Sequence, residues 1–431
     1  MIGFFACTSN PPLAMTPDKQ NLQGIESPYA WRRMLLALAI MTIGCVGMYS
    51  MSVALTAVQA EFGISRSDAS LPYTLIMIGF GVGGILMGRL ADRRGVVLPV
   101  LIGAVALLLG FVAAGLATSM WQFNLAQAVL IGLLGTSATF APLIADISLW
   151  FSRRRGIAVA ICSSGNYLAG AVWPPLLQWG FDHYGWRLTF IGVGVFCFVT
   201  LVPLALALRR PASMASAPVP SSPAAAHIAA TAAPLGLAPG ALQALLCVAG
   251  VACCVAMSMP QVHIVAYCSD LGYGAARGAE MLSLMLGFGI VSRLASGWIS
   301  DHIGGLRTLL LGSVLQAIAL TLFLPFDSLA SLYVVSALFG FFQGGLIPSY
   351  TLVVRQYFSP AEAGARVGTV LTATLLGMAL GGWMSGAIFD LTGSYRAAFI
   401  NGIGWNLLNI GIVLALLYRA RGAPYKWRHA V

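Results

Sequence analysis

Long apolar runs separated by short polar turns set the rhythm of this chain. The runs fall near 34–56, 70–88, 96–117, 121–145, 156–178, 188–208, 241–267, 281–300, 308–326, 328–354, 367–389 and 397–418. A helix needs roughly 20 apolar residues to cross about 30 Å of hydrocarbon, so each run is long enough to span a bilayer. Backbone groups in lipid must be satisfied within the segment, so runs of this length predict helices and not barrel strands. Eleven of the runs hold no Asp, Glu, Lys or Arg, and the eighth holds one, Arg293. The expected fold class is an all-α membrane protein with twelve transmembrane helices.

The polar interruptions divide the chain. Residues 1–33 lack the basic start and long apolar stretch of a signal peptide, and Met15 is an alternative start to Met1. Residues 209–240 are rich in Ala, Pro and Ser, a composition that predicts a linker without a fold of its own. The expected layout is an N-terminal tail at 1–33, a six-helix bundle at 34–208, the linker at 209–240, a second six-helix bundle at 241–418 and a tail at 419–431.

Composition sharpens the class. Hydrophobic residues make up 59% of the chain and charged residues 8%, against about 25% charged in soluble domains. A water-soluble enzyme or nucleic-acid-binding protein is excluded. The net charge of +10 has a different meaning. With both termini cytoplasmic, eighteen Lys and Arg, from Lys19, Arg32 and Arg33 to Lys426 and Arg428, fall inside. Only Arg66, Arg187, Arg277 and Arg396 fall outside. That asymmetry is the positive-inside pattern, and it accounts for the basic balance without a nucleic acid. The eight cysteines show no C-x-x-C spacing, so neither a zinc site nor a disulfide framework is expected. No paired carboxylates, H-E-x-x-H or nucleophile–base set occurs at membrane depth, so no enzyme, metal or cofactor is expected.

Internal repetition is the most specific signal. Gly88-Arg89-Leu90-Ala91-Asp92-Arg93-Arg94-Gly95 follows the second run and Gly297-Trp298-Ile299-Ser300-Asp301-His302-Ile303-Gly304 the eighth; both read G-x-x-x-D-x-x-G, 209 residues apart. Phe181-Asp182 with Gly185 and Phe389-Asp390 with Gly393 form a second pair, 208 apart. Phe151-Ser152 with Gly156 and Phe358-Ser359 with Gly364 form a third, at 207 and 208. Three landmarks at nearly one spacing predict two homologous six-helix halves.

The tandem loops, twelve helices and central linker resemble the major facilitator superfamily over Trp31 to Tyr418. Within it, three stretches are similar to monocarboxylate porters and oxalate–formate exchangers: Trp150–Ala158 at the entry to the fifth helix, Val262–Gly272 at the end of the seventh, and Arg293–Gly297 in the eighth. The resemblance implies that Arg293 contacts a substrate carboxylate. It implies that Asp92, with Arg93 and Asp146 nearby, closes the cytoplasmic side, and that Asp301 is the counterpart in the second half. There are departures. Residues 367–389 contain no lysine, which counts against a second cationic ligand for a dianion. The position four before Arg293, an aspartate in animal monocarboxylate carriers, is Gly289. The fifth-helix signature of drug antiporters is missing from Gly165–Pro175.

The residues themselves point the same way. Arg293 lies about 12 Å from Asp301 along the helix, too deep for easy snorkelling. A charge at that depth costs between about 3 and 17 kcal/mol, so it is expected to face a watery cavity. No Asp or Glu lies within the runs to neutralise it. A mobile anion would complete it, and guanidinium matches carboxylate bidentately. His263 and Asp270 are candidates for carrying a proton, against a packing histidine and an outer turn residue; the acid could equally bring its own proton. Tyr73, Gln127, Asn166 and Gln343, polar groups within apolar helices, are candidate cavity ligands or interhelical partners.

The sequence therefore predicts a monomeric secondary transporter in the bacterial plasma membrane, moving a small organic anion, a monocarboxylate taken with a proton, by alternating access. Membrane lipid and the substrate are its expected partners. An anion exchanger, an exporter of amphiphilic compounds and a non-transporting sensor on the same fold are the alternatives.

Overall fold

The computed structural model describes residues 26–151, 153–209 and 234–422. Twelve helices in it are long and apolar enough to cross a membrane, and no strand occurs among the described residues. They are α1 Pro28–Phe62, α2 Arg66–Arg94, α3 Val97–Leu116, α4 Met120–Trp150, α5 Arg155–Tyr184 and α6 Trp186–Ala207. After residues 210–233 come α7 Pro239–Asp270, α8 Ala275–Ile303, α9 Gly305–Leu322 and α10 Leu329–Tyr357. Then follow α11 Pro360–Thr392 and α12 Tyr395–Gly422. Most of the 209–240 linker, Met1, Met15 and most of the two tails lie outside the described residues, as does Ser152.

Successive spans alternate in direction, so the start of α1 and the end of α12 share one end of the molecule, called here the near end. The helices run past the apolar runs that announce them. α1 begins at Pro28, behind the N-cap Ser27, and so takes Arg32 and Arg33 into the helix. α2 begins at Arg66, capped by Ser65, whose Oγ accepts the Asp68 N–H at 3.1 Å. Charged residues expected in tails and loops thereby enter the spans.

Three helices break. α1 breaks at Cys45, between Pro28–Gly44 and Val46–Phe62. α4 loosens into a π-type stretch over Ala126–Gly135 and tightens into a 3₁₀ turn over Thr136–Thr139 before Ala141–Trp150. α10 breaks between Leu329–Gln343 and Leu346–Tyr357, at the pair Gly344-Gly345. Such interruptions tend to mark functional sites or hinges.

Within the first six helices α3 packs on α4 and α6, and α1 on α5; within the second six, α7 packs on α11 and α12, and α8 on α10. Three seams join the sets: α2 against α11, α5 against α8, and the Val46–Phe62 segment of α1 against α7. Large apolar side chains such as Leu109, Trp179, Trp298 and Leu407 stand exposed on the outward faces. In water these faces would be association hazards; against lipid tails they match their surroundings.

Candidate functional site

A cavity of 290 Å³ lies between the two helix sets, lined by α1, α2, α4, α5, α7, α8, α10 and α11. Its wall carries Arg293, Tyr73 and Asn166, three of the five residues singled out as ligands. Gln127 and Gln343 do not line it. Gln127 is fully buried on α4, its amide directed at the Met51 thioether at 3.6 Å. Gln343 is fully buried beside the α10 break, with neither side-chain atom hydrogen-bonded. Apolar neighbours surround every face of these helices, so periodicity could not tell which polar residue faces the cavity. For the same reason Tyr49, Ser52, Tyr167 and Gln261, all on the wall, were missed.

Arg293 is half-buried on α8 and reaches across to α5. Its terminal nitrogen donates to the Ser163 carbonyl at 3.1 Å and approaches Ser163 Oγ at 3.4 Å. Its guanidinium lies 4.4 Å over the Tyr167 ring, a cation–π contact. No carboxylate pairs with it among the described residues, and its Nε is buried without a partner. Position 289, one turn before it, has to be small. A Cβ there would sit 2.5 Å from the Tyr167 ring. The place from which a side chain on α8 could neutralise the arginine is filled by an aromatic ring from the other helix set. Beside it, Asn166 accepts a hydrogen bond from the Tyr49 hydroxyl at 3.1 Å, and its amide N–H groups donate to no other described residue.

A different arginine joins the two helix sets at the far end. Arg66, expected in an exposed loop, is 6% exposed. It donates to Asp270 of α7 at 3.1 Å and to the Tyr395 hydroxyl of α12 at 3.1 Å, and it stacks 4.6 Å over the Phe389 ring of α11. The backbone N–H groups of Arg66 and Ser67 both donate to the Asp390 carboxylate, each at 2.8 Å. First-turn N–H groups have no partner within their own helix, and the positive end of the helix dipole favours an anion there. Asp390 of the second set thus caps a helix of the first. Its repeat counterpart Asp182 instead accepts from Gln178 on its own helix, at 2.8 Å. Gly386 lets α11 approach at this level, since a Cβ would lie 2.8 Å from the Arg66 carbonyl. The S-x-x-D capping pattern of Ser65 and Asp68 was the available sign that Arg66 starts a helix.

The remaining candidates separate in the same way. Asp270 belongs to this corner and is 34% exposed. His263 sits behind it, fully buried and off the cavity wall. Its Nε2 lies 2.8 Å from the Gly382 carbonyl and its Nδ1 3.1 Å from the Tyr395 hydroxyl. A carbonyl only accepts, so Nε2 carries the proton, and a neutral ring accepts from Tyr395 at Nδ1. At the near end, Asp146 does not join Asp92. It is held by Arg33 through two bonds of 2.7 and 2.8 Å, while Arg33 also donates to the Leu208 carbonyl at 3.0 Å. With Arg33 1% exposed, this pair ties α1, α4 and α6 together within one set. Asp92, Arg93 and Asp301 are exposed, with no side-chain hydrogen bond or ion pair to another described residue.

Comparison with known proteins fits this architecture. Residues 35–329 and 246–430 match the family model of the Major Facilitator Superfamily. The chain is 30% identical over 354 residues to monocarboxylate transporter 13 of Bos taurus, covering 81% of this chain and 79% of the relative. It is 25% identical over 335 residues to the agnestins efflux protein of Paecilomyces divaricatus, covering 77% and 74%. A crystal structure of the peptide transporter POT, at 15% identity, shares the fold with a TM-score of 0.72 over 95% of this chain and 99% of that one. Twelve spans, two helix sets around one cavity and these matches make the chain an integral, multi-pass membrane transporter that belongs to the Major Facilitator Superfamily, close to its monocarboxylate group.

Proposed function

We propose that the protein moves a small monocarboxylate, together with a proton, across the bacterial plasma membrane by alternating access. Arg293 carries this reading: it is a cavity-lining guanidinium with which no carboxylate among the described residues pairs. Leaving a charged group short of partners at membrane depth is costly, and an incoming carboxylate restores both charge and hydrogen bonds. The walls are otherwise apolar enough to hold the body of an organic acid.

The two six-helix sets, 34–208 and 241–418, rock about the cavity as bundles joined by the 209–240 linker. The charge asymmetry supports a cytoplasmic near end, with the cavity facing inward while the Arg66 corner shuts the outside. Protonating Asp270 removes the charge that holds Arg66 and loosens that corner. When the near end closes instead, Asp92 and Arg93 of one set and Asp301 of the other find their partners. Asp146, already committed to Arg33, supports the wall and does not gate.

Uptake of labelled monocarboxylates into proteoliposomes, with and without an inward proton gradient, tests the proposal. Gradient-stimulated uptake that disappears in Arg293→Gln is the expected result. Counterflow indifferent to the gradient would favour exchange. Transport of amphiphilic compounds in place of small acids would favour export, a reading supported by the apolar wall and the similarity to an efflux protein.

A further inference from the structure

The cavity has two polar ends and a largely apolar waist; of the wall groups that bond to no other described residue, Tyr73 and Gln261 sit toward the far end, with Ser52 a little below them at about 15 Å from Phe62. Counting 1.5 Å per residue, Arg293 and Asn166 both lie about 27 Å below the far-end residues of their helices, Ala275 and Tyr184. By the same count, Tyr73 lies about 10 Å below Arg66 and Gln261 about 13 Å below Asp270. Between these levels, about 20 Å down, come Met48, Phe80, Met257 and Met378, together with Tyr49, whose hydroxyl is given to Asn166. The two polar levels are therefore separated by about 15 Å at the backbone, and the side chains narrow that gap.

Tyr73 and Gln261 line the cavity at 4% and 5% exposure, yet neither side chain hydrogen-bonds to another described residue. Buried polar groups are nearly always paired, so two unpaired ones on a cavity wall mark a place where something else bonds to them. A hydroxyl and an amide each donate and accept, which suits a hydroxyl, carbonyl or amide; the one charged residue among those lining the cavity, Arg293, stands at the other end, so the carboxylate goes there. The waist adds its own requirement. Methionine thioethers and a phenylalanine ring adapt to and favour a flat apolar body. The volume points the same way: 290 Å³ equals about ten waters at roughly 30 Å³ each, well beyond a three-carbon acid.

We infer that the preferred substrate is a two-ended monocarboxylate: a carboxylate on Arg293 and Asn166, a flat or aromatic body in the waist, and a neutral hydroxyl, carbonyl or amide group on Tyr73 and Gln261. This rests on the carboxylate reading of Arg293 and extends it to a substrate class. Short acids such as propionate fill one end and leave the other to water.

The test compares 3-(4-hydroxyphenyl)propionate, 3-phenylpropionate and propionate by calorimetric titration of the purified full-length protein. The hydroxylated acid should bind about tenfold tighter than its phenyl analogue, because a site built to hydrogen-bond a hydroxyl rejects the ligand lacking it. Propionate should bind weakest. Tyr73→Phe, which removes a single oxygen, should collapse the ratio between the first two acids, and Gln261→Leu should do so independently. Equal affinity for all three acids, or a ratio that survives both substitutions, would overturn the inference. Binding of all three that depends on Arg293 but ignores Tyr73 and Gln261 sinks the two-ended ligand while leaving the carboxylate reading standing. Binding that ignores Arg293, or no binding of any acid, removes the carboxylate reading itself.

Discussion

Two arginines, Arg66 and Arg293, reach from one helix set to the other, and they are treated in opposite ways. Arg66 receives a carboxylate, a hydroxyl and an aromatic face, and its helix start is capped by a second carboxylate. Arg293 receives a carbonyl and an aromatic face, and no carboxylate pairs with it among the described residues. The first charge is neutralised within the protein and acts as a clasp. In the proposed function the second is neutralised by the ligand. A buried charge thus reveals its role by what it lacks as well as by what it touches. Arg33 and Asp146 show the fully satisfied extreme: a bidentate pair confined to one set has no gap to close and nothing to release.

The comparison can be broken most severely at Arg293. Arg293→Gln is expected to lower carboxylate uptake by about a hundredfold or more while the protein still reaches the membrane folded, since removing an under-partnered cation relieves a desolvation cost. Arg293→Lys should recover part of the activity, because an ammonium keeps the charge and loses the planar fork. Normal uptake by Arg293→Gln, or a failure to fold in both variants, would show that it is a strut like Arg33.

A stability effect comes next. Asp146→Ala removes both charge-assisted bonds from the buried Arg33, which keeps its bond to the Leu208 carbonyl, and should cost about 3 kcal/mol, the low end of the range for breaking a buried pair by removing one partner. Thermal unfolding of the detergent-solubilised variant measures it. An unchanged transition temperature would mean that this pair is not structural.

The Arg66 corner should give an intermediate effect on transport. Arg66→Gln should slow uptake by about tenfold and raise labelling, from the far end, of a cysteine placed at Ser52, because the closed state loses its charged clasp. Asp270→Asn should resemble it and, in addition, remove the acceleration of uptake by external acid. The double variant should be no worse than the single ones, since both break one interaction. Fully additive losses, or unaltered labelling, would refute a clasp.

The smallest effect is expected at Asp92, whose side chain bonds to no other described residue. Asp92→Asn should cut uptake severalfold by weakening the opposite, near-end-closed state, with ligand binding retained. Identical accessibility of engineered cysteines from both ends would reject that account.

The local sequence determined what depends on local physics. Run length against bilayer thickness set the number of spans, and the paired G-x-x-x-D-x-x-G loops marked the internal repeat. The spacing of Arg293 from Asp301 along one unbroken helix also followed from counting residues. The tertiary structure decided what depends on partners far away in the chain. Arg66 and Asp270 are separated by 204 positions, and Arg33 and Asp146 by 113, so nothing near Arg66 in sequence distinguished a clasp from a solvated loop charge. Polar residues were hardest to place. In lipid a helix is apolar on the faces that meet its neighbours and on those that meet the bilayer, which leaves no periodic contrast to say that Gln261 faces the cavity while Gln127 and Gln343 face the packing. Only the position of the neighbouring helices supplies that contrast.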